Sequence, residues 1–479
     1  MSTRKTLAFS FLDRYSGLVV HTLSSMVIAR LLTPAEIGVY SVTMVLLGFI
    51  ATFRDLGAGQ YLVQNKSLTE EKMRATWSVQ LGLGLFFAAL LTAAALPVAR
   101  FYGEPRMVEI MLVLALNFAI TPFLGYPYAW LIREMRFGSI ASLRFLSALA
   151  HAVTAIILAW AGFGPVSLAW ANAFSTIAAL VALWIFVRPR LRWRPIKHGI
   201  GDVVSFGGKL TATSLMNTLS SGAPELLLGK LQNMAAAGLF SRGLGLVMMF
   251  HRLVLDAVNS VALPYFARRS RESCDLGAPF LIAMELTTGL GWAFLSSIAL
   301  MAYPAIRILY GTQWDAAVDP ARWLAVACAV AIPTAICSPP LIGIGAINDV
   351  LKATLLSMLT AFVATALGAL SGPLLLSQCL IASGLLSSAC WIYVVRKHIA
   401  FTTRALLRAW GKSLLVSLGA SAASVAVIFH WGWRPDQLLL SALCSGVGGA
   451  LGGLFAAWVS GHQLWVEINR LYSTWLKRS

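Results

Sequence analysis

The feature that most constrains this chain is a series of apolar stretches, each about twenty residues long. They recur along nearly its whole length and are parted by short polar connections. A helix needs roughly 20 mostly apolar residues to cross a hydrocarbon core. Inside that core every backbone N–H and C=O must be satisfied within the helix itself. Of the 479 residues 58% are hydrophobic and only 12% are charged, against roughly 25% charged in a soluble domain. The fold class expected is therefore all-α integral membrane, with no separate soluble domain.

Hydropathy and turn signals predict about fourteen spans, at 9–31, 36–53, 75–98, 107–131, 138–161, 164–187, 203–229, 235–266, 278–303, 320–345, 350–370, 373–395, 412–431 and 437–460. The basic N-terminus runs into a segment carrying Asp13, Arg14 and His21. These residues interrupt the apolar core that a cleavable signal peptide needs, so the segment reads as a retained first helix. The six cysteines form no CxxC or Cys/His cluster. Neither a disulfide framework nor a metal site nor a cofactor is expected.

Charge tests the count. With the N-terminus inside, the segments on its side of the membrane hold 25 of the 37 Lys and Arg, and the opposite loops hold seven. Cytoplasmic loops carry the basic excess, so the expected location is an inner membrane with both termini cytoplasmic. Most of the net charge of +18 is then topology and contact with anionic membrane lipids. A nucleic-acid partner is not expected, because the basic runs are inter-helix loops. The tail 461–479 groups Leu464, Trp465, Ile468 and Leu471 on one arc of an amphipathic, interfacial helix.

An internal repeat is visible at an offset of 200. RLLTPAEIGVYS at 30–41 matches KLQNMAAAGLFS at 230–241, pairing Arg30 with Lys230, Gly38 with Gly238 and Ser41 with Ser241. FYG at 101–103 pairs with LYG at 309–311. An even number of helices separates the copies, so the halves are parallel, as in alternating-access transporters. The expected organisation is a six-helix lobe at 1–198 and a second at 199–400. Two additional spans at 401–460 and the tail at 461–479 complete it.

Charges inside spans are expensive, about 2.5–3.5 kcal/mol each on insertion scales, and are functional candidates by default. The first span aligns Asp13, Arg14, Gly17, His21 and Ser24 on one stripe. The seventh aligns Lys209, Thr213, Asn217, Ser220 and Pro224, and the eighth groups Arg242, Arg252, Asp256 and Asn259. The candidate substrate-binding residues of a cationic central cavity are thus Arg14, His21, Lys209, Asn217, Arg242 and Arg252. Arginine binds phosphate through a planar, bidentate fork, and Asn, Ser and Thr can bond sugar hydroxyls. Glu225 and Asp256 are the candidates for ion coupling, with Glu285 a further intramembrane acid; salt bridging to nearby cations is the structural alternative for all three.

The pattern LLTPAEIGVYSVTMVLLGFIATFRDLGAGQYLVQ followed by FYGEPRM resembles the Wzx-type polysaccharide and O-antigen flippases. These belong to the multidrug/oligosaccharidyl-lipid/polysaccharide exporter superfamily. The likeness continues through FGGKLTATSLMNTLSSGAPELLLGKL in the seventh span and fades toward the C-terminus. It implies two six-helix lobes of the type found in multidrug exporters of that superfamily, and no covalent chemistry. It also implies transfer of undecaprenyl-pyrophosphate-linked oligosaccharide units for exopolysaccharide, capsule or lipopolysaccharide biosynthesis. A polysaccharide polymerase and a chain-length regulator are the implied protein partners. The related lipid II flippases use arginines on their first, second and eighth helices, and Arg14, Arg54 and Arg242 or Arg252 occupy comparable helices here. Two rival readings are an organic-ion exporter of the same superfamily, which would want an acidic cavity, and a membrane polysaccharide polymerase. The latter would want a large external loop or paired carboxylates.

Overall fold

The computed structural model describes residues 17, 19–55, 61–62, 69–134, 136–187, 195–196, 200–272, 274–433 and 437–476. Within its helices the description does not extend to the side chains at 55, 126, 137, 202–210, 212–213, 216–217, 252–253, 256–257, 260, 471–472 and 474–476. The helices are α1 Val19–Leu31, α2 Pro34–Asp55, α3 Glu70–Tyr102, α4 Arg106–Ile120, α5 Pro122–Arg133, α6 Phe137–Trp160, α7 Val166–Phe186, α8 Ile200–Leu231 and α9 Met234–Phe250. They continue with α10 Asp256–Arg271, α11 Gly277–Tyr310, α12 Val318–Ala331, α13 Ser338–Gly343, α14 Ile347–Ala369, α15 Pro373–His398, α16 Thr403–His430, α17 Leu438–Ser460 and α18 Gln463–Leu476. Among the described residues there is no strand.

Among the described residues, eleven helical runs are long and apolar enough to cross a bilayer. Five further helices lie outside that set, α10 and the tail helix α18 among them. Helices α1 and α9 are short, whereas α8 has 32 residues but carries Asp202, Lys209, Asn217, Glu225 and Lys230. Those three helices belong to the first, seventh and eighth spans, which bear the polar stripes.

The helices differ from the sequence expectation where proline or backbone geometry intervenes. The fourth span is two helices, α4 and α5, parted at Thr121 just before Pro122. The tenth is three pieces, α12, a 3-10 turn at Ile332–Ile336 and α13, with a further 3-10 turn at Thr312–Ala317 just before it. Pro333, Pro339 and Pro340 lack the N–H that a continuous helix would use there. The eighth is split by a π-helical turn, His251–Leu255, between α9 and α10.

Packing inverts the soluble pattern. In α17 the buried positions are Ser441, Ser445, Gly449, Gly453 and Ala457, while Leu443, Val447, Leu451 and Phe455 are exposed. Lipid solvates leucine as well as a protein core does, so small residues take the interface and let backbones approach. A methyl added at Gly452 would overlap the Gly419 carbonyl oxygen on α16. Hydroxyls supply the cross-links. Ser417 Oγ donates to Ser296 Oγ at 2.9 Å, and Thr288 and Ser413 hydroxyls lie 2.8 Å apart.

Contacts divide the chain into units Met1–Gly238 and Leu239–Ser479, so the division falls inside α9. In the first unit α8 packs along α2, with Val42 and Val45 set against Gly229 and Gly222. In the second, α11 packs against α12, α16 and α17. Inter-loop contacts are consistent in side. Leu62 accepts from Arg133 Nη1 at 2.7 Å, and Ser78 Oγ accepts from Ile196 N at 2.8 Å. His398 meets Asp349 at 2.7 Å, and Lys412 Nζ donates to the Gly461 carbonyl at 2.9 Å. On the other side, Lys230 donates to the Phe101 carbonyl, and Gly164 abuts the Glu36 carboxylate. Each pair joins helix ends that the charge pattern assigns to one face of the membrane.

Candidate functional site

The site begins with two helix starts related by the repeat. At α2, Thr33 and Glu36 form a capping box. The Glu36 carboxylate accepts from Thr33 N at 2.8 Å and from Thr33 Oγ1 at 2.9 Å, while Glu36 N donates to Thr33 Oγ1 at 3.3 Å. At α9, Asn233 Oδ1 accepts from Ala236 N at 2.8 Å. Thr33 and Asn233 stand 200 residues apart, so the equivalent position caps both helices although its chemistry differs. Lys230, the partner of Arg30 in the repeat, holds the turn before α9 against α3. Its ammonium lies 4.1 Å from the Phe101 ring centroid and bonds the Phe101 carbonyl.

Between these starts the backbones touch. A methyl at Gly38 would overlap the Met234 carbonyl oxygen, and one at Gly238 would overlap the Pro34 carbonyl oxygen. The contact is reciprocal, with 38 on 234 and 238 on 34. Further along, Thr52 and Thr218 hydroxyls lie 3.3 Å apart across α2 and α8.

The sequence candidates fall differently. Arg14 lies outside the described residues. The backbone carries Lys209 and Asn217 on α8, Arg252 in the π turn and Asp256 at the first position of α10; their side chains are outside the description. His21 is exposed on α1, its carbonyl accepts from Ser24 Oγ at 3.0 Å, and it lies within electrostatic reach of His151 on α6. Glu225 is half-buried on α8.

Two charges are engaged within their own unit. The Arg242 guanidinium lies over the rings of Tyr310 and Trp314, at 5.3 and 5.5 Å from their centroids. It also bonds the Tyr310 hydroxyl. Arg54 lies 4.6 Å over the Phe118 ring. Glu285 has the structural partners its alternative reading required. Its Oε1 accepts from Gln463 N at 2.9 Å and lies 3.6 Å from Lys412 Nζ.

Sequence reasoning missed the cluster around Glu285. His462, fully buried between α17 and α18, accepts from Leu464 N at 3.0 Å through Nδ1, and its Nε2 meets Ser413 Oγ at 3.2 Å. No periodic signal marks a histidine in a two-residue turn, although its place directly after the Gly461 helix cap is a positional clue. The π turn was equally hidden, because a π turn changes hydrogen-bond register without changing composition. Such turns concentrate at functional sites.

Comparison with known proteins follows this geometry. The family described as polysaccharide biosynthesis protein matches residues 27–319. The succinoglycan biosynthesis transport protein ExoT of Rhizobium meliloti is 24% identical over 348 residues, covering 73% of this chain and 70% of that protein. The lipopolysaccharide biosynthesis protein WzxC of Escherichia coli is 19% identical over 304 residues, covering 63% of this chain and 61% of that protein. Among solved structures, the lipid II flippase MurJ in an inward closed conformation superposes with a TM-score of 0.75 at 12% identity, over 95% of this chain and 99% of that one. An inward-facing multidrug resistance MATE family transporter of the MOP superfamily gives 0.60 at 17% identity, over 81% and 99%. The chain therefore has the fold of that superfamily, as its sequence led one to expect.

Proposed function

This chain belongs to the polysaccharide biosynthesis protein family, and we propose that it is a flippase for lipid-linked oligosaccharide. Its substrate is an undecaprenyl-pyrophosphate-linked repeat unit, carried from the cytoplasmic leaflet of the inner membrane to the outer one. The observation that carries this reading is where polarity sits. In an otherwise apolar bundle it concentrates on the repeat-related α1 and α8 and on α9–α10, whose register changes at the π turn.

Alternating access explains why such a distribution suffices. A pyrophosphate and its sugars need a polar path that opens to one side at a time, while the isoprenoid tail stays in lipid. Nothing is made or broken in that movement, so the protein acts as a transporter and not an enzyme. In this reading Arg14, Lys209 and Arg252 attract the pyrophosphate, and His21 and Asn217 bond sugar or phosphate oxygens. Arg242 is set apart as a structural cation, since Tyr310 and Trp314 already hold its charge. Glu225 and Asp256 remain the coupling candidates, and Glu285 serves the fold.

The proposed organisation is fourteen spans with both termini cytoplasmic. Two six-helix repeats occupy 1–198 and 199–400, followed by the pair at 401–460. The unit delivered outside is passed to a polysaccharide polymerase and its chain-length regulator. The test is the double substitution Arg14→Gln, Arg252→Gln in the native host. Glycan export should fall at least tenfold with the protein still in the membrane; export at the parental rate would remove the cationic path from the account.

A further inference from the structure

From Val350 to Pro435 the chain carries no Asp or Glu, yet α14–α16 carry Lys352, Arg396, Lys397, Arg404, Arg408 and Lys412. The lysines are neutralised within their own unit. Asp349 lies 3.5 Å from Lys397 and 4.0 Å from Lys352, and Lys412 lies 3.6 Å from Glu285. The arginines are not. Arg396, Arg404 and Arg408 are exposed and have no hydrogen-bond or ion-pair partner among the described residues. Arg404 and Arg408 also stand four apart on one helix face, where like charges repel.

The elbow at 399–402, which joins α15 to α16, holds these arginines in place. Ile399 and Leu406 are buried in one apolar cluster with Phe280, and the Phe401 ring packs on Phe280 with centroids 5.3 Å apart. Thr402 Oγ1 accepts from Ala405 N at 3.2 Å, and a methyl at Gly277 would overlap the Ala400 carbonyl oxygen. Beyond the arginines the same face of α16 turns apolar. Leu407, Leu415 and Leu418 are exposed and share with Arg404 and Arg408 an arc of roughly 100°, at about 100° per residue. In a membrane-spanning helix such a stripe meets hydrocarbon. On α15, Tyr393 is exposed one turn before Arg396 and Lys397, the place of an aromatic at headgroup level. The charge pattern assigns this elbow to the cytoplasmic face.

A diffuse basic excess attracts anionic lipid without fixing it. Here the cations are held in place, lack carboxylate partners and continue into a lipid-facing stripe. We infer that the α15–α16 elbow binds one anionic diacyl phospholipid, its phosphate on Arg404 and Arg408 and an acyl chain along Leu407, Leu415 and Leu418. The planar fork of arginine can bond two phosphate oxygens at once, and Arg396 adds charge across the elbow. Such a site requires only the membrane-spanning fold and is independent of the cargo.

The test uses the full chain purified in detergent and counts bound lipid by native mass spectrometry. The probes are phosphatidylglycerol and phosphatidylethanolamine of identical acyl chains. Phosphatidylglycerol should bind at least tenfold more tightly, and inorganic phosphate in large excess should not displace it. Arg404→Gln with Arg408→Gln should erase the preference and leave phosphatidylethanolamine binding unchanged. Arg268→Gln with Arg271→Gln removes the same charge from another basic helix end of this unit, and should weaken phosphatidylglycerol binding by less than threefold. If the Arg404, Arg408 double variant does not reach the membrane, Arg408→Gln alone carries the test and should weaken binding at least threefold. The site is overturned by equal binding of the two lipids to the parent, or by a preference that survives loss of Arg404 and Arg408. Displacement by inorganic phosphate would make it a phosphate site and overturn the lipid. An equal loss on substituting Arg268 and Arg271 would make the attraction diffuse and overturn it as well.

Discussion

Arg242 satisfies a sequence pattern and also has aromatic partners that the pattern does not contain. The guanidinium lies over two adjacent rings whose centroids are 6.3 Å apart, and each cation–π contact is worth up to about 2 kcal/mol when desolvated. Lysine keeps the charge but not the planar, multi-donor group. Arg242→Lys should therefore lower the stability of the detergent-purified protein by about 1–3 kcal/mol while leaving transport per folded molecule within twofold. Thermal unfolding followed by near-ultraviolet circular dichroism, alongside export normalised to protein in the membrane, reads both quantities. The sequence placed Arg242 near Arg252 on one arc of an ideal helix. The aromatic partners came from the LYG segment and the following turn, about seventy residues away, and no helical wheel contains that information.

At the scale of elements, the tail helix α18 is tied to its unit through His462. Its Nδ1 accepts the Leu464 N–H, so the ring is neutral with its proton on Nε2, directed at Ser413. Burial, aided by the Lys412 ammonium and opposed by the Glu285 carboxylate, holds the His462 pKa below its ordinary value. A histidine with a depressed folded pKa contributes stability that is fully present above its unfolded pKa. That contribution is lost as pH falls below about 6.5. The protection factors of the amides across Gln463–Leu476 should accordingly fall between pH 7.5 and pH 5, and the fall should vanish in His462→Gln. An equal fall in that variant would assign the effect to another group. The tail itself was legible from its apolar arc, as were most spans, because both signals are periodic in the sequence. The break before Pro122 was readable in principle. The π turn at His251–Leu255 and the meeting of Gly38 with Gly238 were not, since one is a change of register and the other a tertiary crossing between distant segments.

For the molecule as a whole, we propose that charge plays two separable parts: loop cations set which side each helix end faces, and a few intramembrane ones act on the cargo. The first is a sum over many residues, and contacts such as Arg133–Leu62 and Lys230–Phe101 join ends that the charge pattern puts together. The second depends on individual side chains, where Arg242, Arg54 and Glu285 found partners within the fold. The most direct measurement reconstitutes the purified chain in proteoliposomes with a fluorescent undecaprenyl-pyrophosphate oligosaccharide, and follows its appearance in the opposite leaflet by an impermeant quencher. Transbilayer movement should be at least tenfold faster than in protein-free vesicles, and abolished by Arg14→Gln with Arg252→Gln. Movement no faster than in protein-free vesicles would contradict the flippase reading.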